Sequence, residues 1–258
     1  MDKIQIYGIL NVTPDSFSDG GKYFDMSSAC ERALAMKAEG ADVIDIGGMS
    51  TRPGFEDVPE ADEIQRVVPV ISKIKSEDPS CVISVDTFRS GTAKACLEAG
   101  ADIINDISGL MADPKMGEVI AGYGCEAVLM RDGFSDPSIP WKDQLQKTVD
   151  RAKQAGIKDD KIILDPGVGC TSTRQQDMEL IRAIPEIKIK WGYPVLLGVS
   201  RKRITAQFYE GTSSPEQRVG ASIALALYGV NMGATLLRVH DVKDTSAAVK
   251  AWMEIRNE

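Results

Sequence analysis

The sequence predicts a single α/β domain with the architecture of a (β/α)₈ TIM barrel, and three observations support this prediction. The chain has 258 residues, and such a barrel takes roughly 250. Short runs rich in β-branched residues alternate with longer segments of helical periodicity, which is the pattern of parallel strands covered by helices. No GxGxxG motif follows the first strand, which argues against a doubly wound dinucleotide-binding sheet. We therefore predict one barrel domain over residues 1–258.

Eight strands are predicted, and several are apolar on both faces, as buried parallel strands are. They cover Ile4–Val12, Val43–Ile46, Val82–Asp86, Ile103–Ile107, Ala127–Met130, Ile162–Leu164, Val195–Val199 and Thr235–Val239. The predicted helices that alternate with them include Ala29–Glu39, Glu60–Lys75, Gly91–Ala99, Trp141–Ala155, Gln175–Ile184, Pro215–Gly229 and Thr245–Arg256.

A weak internal repeat supports the regular alternation of helix and strand. The segments EGADVID at 39–45, AGADIIN at 99–105 and MGATLLR at 232–238 share one design. In each, a helix ends at a glycine, which adopts the left-handed cap conformation without steric penalty. An apolar strand follows and ends in a polar residue. Repeated units of this kind fit a barrel built from one βα unit after another.

Composition excludes several classes of protein. The formal net charge is -8, which disfavours a broad nucleic-acid surface because the phosphate backbone requires clustered Lys and Arg. The five cysteines are odd in number and contain no CxxC, so we expect reduced thiols and neither a disulfide framework nor a zinc site. We see no basic leader and no apolar run long enough for a membrane span. We therefore expect a soluble cytoplasmic protein with no membrane partner.

Polar residues stand at the C-terminal ends of the predicted strands, where barrel enzymes place their active sites. A single polar residue at such a position is more often a helix N-cap, and Asp106 and Asp241 fit that role alone. Arg201 and Arg203 fit the start of a solvated helix. Carboxylates and carboxamides converging in one mouth suit a donor-rich heterocycle such as a pterin, and cations beside them suit a phosphate or pyrophosphate. The candidates are Asn11, Asp15, Asp86, Asn105, Asp165, Lys202, Arg238 and His240.

These residues lie in motifs that resemble those of the dihydropteroate synthase family. The segment GILNVTPDSFSDGG at 8–21 is similar to the first-loop signature of that family over its whole length. Further matches follow in the family's order from strand one to strand eight. They are STRPG at 50–54, VDT at 85–87, NDISG at 105–109, DPG at 165–167, SRK at 200–202 and RVHDV at 238–242.

The resemblance implies a fold, a reaction and a set of site residues. It implies a (β/α)₈ barrel, usually dimeric, that condenses 6-hydroxymethyl-7,8-dihydropterin pyrophosphate with p-aminobenzoate, using Mg²⁺, to give 7,8-dihydropteroate and pyrophosphate. By position, the pterin would be bound by Asp86, Asn105, Ile107, Met130, Asp165, Gly198 and Lys202. Pyrophosphate would be bound by Asn11, Arg238 and His240, with Asn11 also binding the metal. The p-aminobenzoate site would be bordered by Thr51, Arg52, Pro53 and Ser200. The catalytic set would be Asp15, Lys202, Arg238 and His240.

The chain departs from the family pattern near the second-substrate pocket. Met49 stands where the family usually has Glu, and residues 169–173 lack the usual Phe and Lys. The fifth strand ends in Met130-Arg131, where the family usually has Met-His. The identity of the amine acceptor therefore stays open. Two alternatives also stay open: a methyltetrahydrofolate-type methyltransferase and a non-catalytic pterin binder.

Overall fold

The computed structural model of the chain describes residues 3–12, 26–49, 58–132, 138–170 and 173–256. Within these residues, eight strands form one parallel sheet in the order β6-β5-β4-β3-β2-β1-β8-β7. The strands are β1 (Gln5–Asn11), β2 (Val43–Gly47), β3 (Val82–Asp86), β4 (Ile103–Asp106), β5 (Glu126–Met130), β6 (Ile162–Asp165), β7 (Leu196–Leu197) and β8 (Leu236–Val239). An isolated parallel bridge between Leu164 and Val195 joins β6 to β7, so that the sheet curls into a barrel. The predicted fold class is confirmed.

Helices cover the outside of the sheet. They are α1 (Met26–Glu39), α2 (Glu60–Glu77), α3 (Ser90–Glu98), α4 (Met116–Tyr123), α5 (Trp141–Gln154), α6 (Arg174–Arg182), α7 (Ile184–Trp191), α8 (Arg203–Ala206), α9 (Val219–Met232) and α10 (Val242–Arg256). The helices named from the sequence did not include α4 or α8, which are only 8 and 4 residues long.

Two predicted helices differ from the observed ones. The predicted helix Gln175–Ile184 is α6, and a second helix, α7, follows directly after it. Pro185 lies in the first turn of α7, where its missing N–H breaks no helical hydrogen bond. The predicted helix Pro215–Gly229 starts instead with a 3₁₀ turn at Pro215–Arg218, after which α9 begins.

Two separate apolar clusters show which side chains point into the barrel. The larger cluster packs the outer face of the strands against the helices. The smaller one fills the barrel interior and consists of Tyr7, Val43, Ile103, Val128, Ile163, Leu196 and Leu236. Because side chains alternate across a strand with period two, residues two positions further on point to the same side. The interior apolar layer is therefore followed, towards the C-terminal mouth, by Asp45, Asn105, Asp165, Gly198 and Arg238.

The remaining compositional expectations concern disulfides and membranes. All five cysteines are free thiols. Among the described helices, none combines the length and apolar character that crossing a membrane requires.

Candidate active site

Arg238 on β8 is the centre of the polar layer in the barrel mouth. Its Nε donates to Asp45 Oδ2 and its Nη2 to Asp86 Oδ2, both at 2.6 Å. Asn105 Nδ2 lies 3.3 Å and 3.4 Å from the two carboxylate oxygens of Asp45. Strands that are far apart in sequence thus bring two carboxylates, a guanidinium and a carboxamide into direct contact.

Burial gives this cluster its electrostatic character. Asp45 is fully buried and Asp86 is 8% exposed. Burial raises the pKa of Asp86, and the neighbouring Arg238 guanidinium opposes this only in part. Burial by itself would lower the pKa of Arg238, but Asp45 and Asp86 outweigh it, so the guanidinium stays charged. The second carboxylate oxygen of Asp86, Oδ1, has no hydrogen-bond partner among the described residues, which makes it an acceptor suited to a ligand N–H.

A second polar group lies on the adjoining strands β6 and β7. Asp165 Oδ1 accepts a hydrogen bond of 2.7 Å from the Gly167 N–H, and Lys202 Nζ donates to the carbonyl oxygen of Val168 at 2.5 Å. Burial raises the pKa of Asp165, and Lys202 opposes that shift. A Cβ atom at Gly198 would lie 3.6 Å from Lys202 Nζ and 3.8 Å from Arg238 Cβ. Gly198 therefore lies between the two cations, and its lack of a side chain leaves space there.

Asn11 and His240 also lie at the C-terminal ends of their strands. Asn11 is in register with Gly47, and a Cβ at Gly47 would lie 3.8 Å from Asn11 Oδ1 and 3.6 Å from Asp86 Cβ. The His240 backbone N–H donates to Ser200 Oγ at 3.1 Å, and its ring Nδ1 is 3.0 Å from the same oxygen. A serine hydroxyl has one donor and two acceptor lone pairs, so Ser200 can accept from the backbone N–H and also either donate to Nδ1 or accept from it, and the contact is compatible with both tautomers of His240.

The structure brings Ser200 and His240 into contact, although the resemblance assigned them to different substrates. The residue between Ser200 and Lys202 adopts a left-handed conformation, with a φ of 58° at Arg201. Its guanidinium forms two hydrogen bonds with Asp241, at 3.1 Å and 2.6 Å. Arg201 is therefore a partly buried ion-pair residue and not a solvated helix start. This ion pair fixes the turn that presents Ser200 and Lys202.

Asp106 has the purely structural role that the sequence allowed for it. Its two carboxylate oxygens accept from the backbone N–H groups of Ser108 and Leu110, at 2.7 Å and 2.8 Å. These bonds hold the tight turn after β4. The side chain is fully occupied by its own loop and leaves ligand contacts to its neighbour Asn105.

In the loop between β6 and α6, where the chain departs from the family pattern, the described residues Gly169 and Cys170 form hydrogen bonds with side chains outside the loop. Arg131, at the end of β5, donates to the carbonyl oxygen of Cys170 at 3.0 Å and to the side chain of Gln144. Asp177 on α6 accepts a 2.7 Å hydrogen bond from the Gly169 N–H. Burial lowers the pKa of Arg131. Arg131, which in the sequence is only a departure from the family pattern, is a buried cation that supports this loop in the structure.

The other predicted site residues fall into two groups. Ile107 is half-buried and Met130 is buried, and both lie at the C-terminal ends of β4 and β5. A Cβ at Gly167 would lie 3.2 Å from Met130 Cγ, which places Met130 beside the loop that follows Asp165. The remaining predicted residues, Asp15, Thr51, Arg52 and Pro53, lie outside the described residues, so their roles stay predictions.

Asp45 is the principal residue to which sequence reasoning assigned no role. It lies within an otherwise apolar strand, between the inward-facing Val43 and Gly47. A carboxylate at an inward-facing position of a buried strand is expensive unless it has partners. Side chains two positions apart on a strand point to the same side, so the sequence places Asp45 beside Val43 in the barrel interior. A carboxylate at such a position indicates an ion pair inside the barrel.

Comparison with known proteins decides the family. The sequence profile of the family described as "pterin binding enzyme" matches residues 7–240. A dihydropteroate synthase from Streptococcus pyogenes is 43% identical over 242 residues, which are 92% of this chain and 90% of that protein. One from Staphylococcus haemolyticus is 42% identical over 246 residues, 94% of this chain and 91% of that protein. This chain belongs to the dihydropteroate synthases. It is therefore a transferase of folate biosynthesis.

Solved structures of dihydropteroate synthases share the whole barrel. The enzyme from Clostridium difficile, in the presence of pteroic acid, is 38% identical with a TM-score of 0.90, covering 99% of this chain and 98% of that one. The enzyme from Xanthomonas albilineans with 4-aminobenzoic acid is 37% identical with a TM-score of 0.90, covering 99% and 94%. The same Xanthomonas enzyme with 7,8-dihydropteroate gives 35% identity and a TM-score of 0.88, covering 99% and 94%.

Proposed function

We propose that this dihydropteroate synthase condenses 6-hydroxymethyl-7,8-dihydropterin pyrophosphate with p-aminobenzoate and releases pyrophosphate. The observation that supports the proposal most strongly is the buried cluster in the barrel mouth, where Arg238 is hydrogen-bonded to two carboxylates. It offers acceptors for a heterocycle and a fixed cation for an anionic leaving group side by side at one end of the barrel. The relatives with pteroic acid, 4-aminobenzoic acid and 7,8-dihydropteroate bind molecules of this chemistry.

In this proposal, the pterin ring is bound by the buried acceptors. Asp86 and Asp165 accept from ring and amino N–H groups as carboxylates, and Asn105 and Lys202 hydrogen-bond the remaining polar edge. Ile107, Met130 and Gly198 form the walls of the slot. The unpartnered Oδ1 of Asp86 supports this role, because a buried carboxylate oxygen without a donor is costly until a ligand supplies one.

The pyrophosphate lies on the cationic side of the mouth, against Arg238 and His240. The C–O bond to the pterin methylene carbon breaks, and its electron pair leaves with the pyrophosphate. Fixed cations stabilise the charge that develops there, and one preorganised donor of this kind contributes about 3–4 kcal/mol. Asp15 would stabilise the cation on the methylene carbon.

The site could hold a magnesium ion only if oxygen atoms of the substrate supplied some of its ligands. The carboxamide oxygen of Asn11 is a ligand of the type that Mg²⁺ prefers, and this ion usually retains water and substrate phosphate oxygens. The described residues contain no cluster of three or more His, Cys, Asp or Glu that could hold a metal. Asn11 would therefore bind the ion together with phosphate oxygens, and the bound ion would neutralise charge on the leaving group.

The acceptor amine then forms the new C–N bond. The nitrogen lone pair attacks the methylene carbon, and the nitrogen loses one proton afterwards, so no activated nucleophile of the enzyme is required. Thr51, Arg52, Pro53 and Ser200 would border this substrate. Cys170, in the altered stretch, accepts a hydrogen bond from Arg131 through its carbonyl oxygen and would lie beside this substrate.

An assay for pyrophosphate release tests the proposal. With the pterin pyrophosphate supplied, we expect release that depends on p-aminobenzoate and yields dihydropteroate. A methyltransferase would show no release and would transfer a methyl group from methyltetrahydrofolate. A non-catalytic binder would bind the pterin tightly and turn over none of a panel of aryl amines.

We also propose a cytoplasmic homodimer of a single-domain chain. Three neighbouring helices each expose a large apolar side chain: Ile189 on α7 is 86% exposed, Tyr228 on α9 is 43% exposed and Ile255 on α10 is 76% exposed. Exposed apolar side chains on adjacent helices favour association with a second copy.

A further inference from the structure

We infer that Asp45 is a positioning residue that orients both Arg238 and Asn105, and so links the leaving-group end of the site to its pterin end. The inference rests on the proposed function and assigns a role to a residue outside the predicted set. Asp45 is placed to act through its two neighbours and not on the substrate itself.

The contacts of Asp45 support this role. Its side chain is fully buried, and its Oδ1 accepts from Ser84 Oγ at 2.6 Å while its Oδ2 accepts from Arg238 Nε at 2.6 Å. Asn105 Nδ2 approaches both oxygens. The carboxylate is thus surrounded by side chains of three other strands. A buried charge with this many donors is held rigidly, since moving it would leave several groups unpaired at once.

Asp45 fixes the direction of the Arg238 guanidinium. An arginine side chain has five N–H donors in one plane. The Nε–H group donates to Asp45 and one Nη2–H donates to Asp86. The other three N–H donors of this planar group remain for an anion. Rotation about the terminal bonds of Arg238 would break the 2.6 Å contact with Asp45. The leaving group therefore meets donors that are already oriented, as charge stabilisation in a transition state requires.

Asp45 also fixes the carboxamide orientation of Asn105. If the amide were turned around, its carbonyl oxygen would face the Asp45 carboxylate, and two acceptors would oppose each other. The Nδ2 group must therefore face Asp45, which leaves Oδ1 directed away from it as an acceptor. A pterin edge rich in N–H groups needs an acceptor in that position.

The substitution Asp45→Asn tests the inference, because it keeps the shape and removes the charge. Two ligands are compared by calorimetry: 6-hydroxymethylpterin and its pyrophosphate. We expect both affinities to fall, the affinity for the pyrophosphate by about 10-fold more than that for the alcohol, and kcat to fall about 100-fold. The KM for p-aminobenzoate should change by less than about 3-fold, because its predicted site is bordered by other residues.

A matched control separates positioning from general destabilisation. Glu63 is another buried carboxylate, 1% exposed, whose Oε2 pairs with Arg89 at 2.7 Å. Glu63→Gln should lower the melting temperature comparably and leave the ratio of the two ligand affinities unchanged. If Asp45→Asn likewise lowers only stability and keeps that ratio and kcat, the inference is wrong.

A double variant keeps the test decisive if Asp45→Asn alone does not fold. Asp45→Asn with Arg238→Gln removes both charges of the pair. We expect its kcat to equal that of Arg238→Gln alone, while its affinity for 6-hydroxymethylpterin is lower because Asn105 has lost its orientation. A further drop in kcat together with an unchanged pterin affinity would overturn the inference. Failure of the unsubstituted chain to form dihydropteroate would count against the proposed function alone, since the affinity comparison needs no acceptor.

Discussion

The ammonium group of Lys202 donates a 2.5 Å hydrogen bond to the carbonyl oxygen of Val168. This contact ties the turn after β7 to the loop after β6, so two loops of the barrel mouth share one cation. An ammonium group has three donors, and the bond to Val168 leaves two of them for a ligand. Lys202 can thus hold its loop and contact a pterin at the same time.

Replacing Lys202 by Met tests its part in pterin binding. Met retains most of the aliphatic stem and removes the charge, so packing is largely preserved. Hydrogen bonds to charged groups contribute about 1.5–3 kcal/mol, and we expect pterin affinity to fall by roughly 10- to 100-fold. Calorimetry with 6-hydroxymethylpterin measures this. Lys190→Met, at a lysine that lies over the Trp191 ring, is the control and should bind normally. Unchanged affinity in Lys202→Met would remove Lys202 from the pterin site.

Gly169→Ala tests how closely the β6–α6 loop packs on Lys202. Gly169 has a φ of +85°, and a Cβ there would lie 2.4 Å from Lys202 Cδ. Gly156 has a φ of +80° with nothing within 4 Å of its Cβ position. Both alanine variants should lose about 1–2 kcal/mol of stability from left-handed strain. Only Gly169→Ala should also lose pterin affinity. Equal binding by the two variants would show that the loop yields without moving Lys202.

The pH dependence of pterin binding follows from Asp86. Burial raises its pKa above the usual 3.8, and the ionised carboxylate is the stronger acceptor for a pterin N–H. Affinity should therefore fall as the pH is lowered through that raised pKa, and binding should release protons. Calorimetry in two buffers of different ionisation enthalpy, from about pH 5 to about pH 8, measures the release. The Asp86→Asn variant should lack the part of this proton release that comes from Asp86. Proton uptake on binding would contradict the assignment.

The stability of the ligand-free protein depends on pH in the opposite sense to its affinity for pterin. Because the folded-state pKa of Asp86 lies above that of the unfolded chain, its protonation stabilises the ligand-free fold. That contribution is fully present below the unfolded-state pKa and is lost as the pH rises through the folded-state value. Bound pterin should reduce this loss, so melting temperatures with and without ligand should diverge as the pH increases.

Arg131→Met tests whether the altered loop serves the acceptor. Removing the guanidinium deprives the Cys170 carbonyl of its 3.0 Å donor. We expect the KM for p-aminobenzoate to rise about 10-fold, in line with one charged hydrogen bond, and pterin affinity to change little. Arg151→Met, at an arginine that donates to the Gly109 carbonyl oxygen, is the matched control and should keep the KM. An unchanged KM in Arg131→Met would limit Arg131 to a role in stability.

Ile189→Glu tests the proposed dimer. Ile189 is 86% exposed on α7, and a charge there should be disfavoured in an apolar interface. Light scattering after gel filtration should give the mass of two chains for the unsubstituted protein and of one chain for Ile189→Glu. Met111→Glu, at a residue that is 51% exposed in the loop after β4, should remain dimeric. A monomeric unsubstituted chain would refute the dimer directly.

The amino-acid sequence was sufficient for the order of the barrel elements. Strand and helix positions follow from local hydrophobic periodicity and from glycines such as Gly40 and Gly100, which have positive φ values in the structure. The alternation also predicted that Asp86, Asn105 and Asp165 would stand at strand ends. The lengths of short elements were less predictable. The seventh strand was predicted over Val195–Val199 and the structure shows it as the two-residue strand β7, paired with β8, while the single-turn helix α8 was not predicted.

Only the tertiary structure decided which polar side chains contact each other. Asp45 and Arg238 are 193 residues apart and meet because the curled sheet places β2 and β8 on either side of β1. The contacts of Ser200 with His240 and of Arg131 with Cys170 likewise depend on neighbouring strands and loops. Local sequence fixes the side of a strand on which a residue lies, because side chains alternate with period two. Partners across the barrel depend on register and closure, which no local pattern specifies.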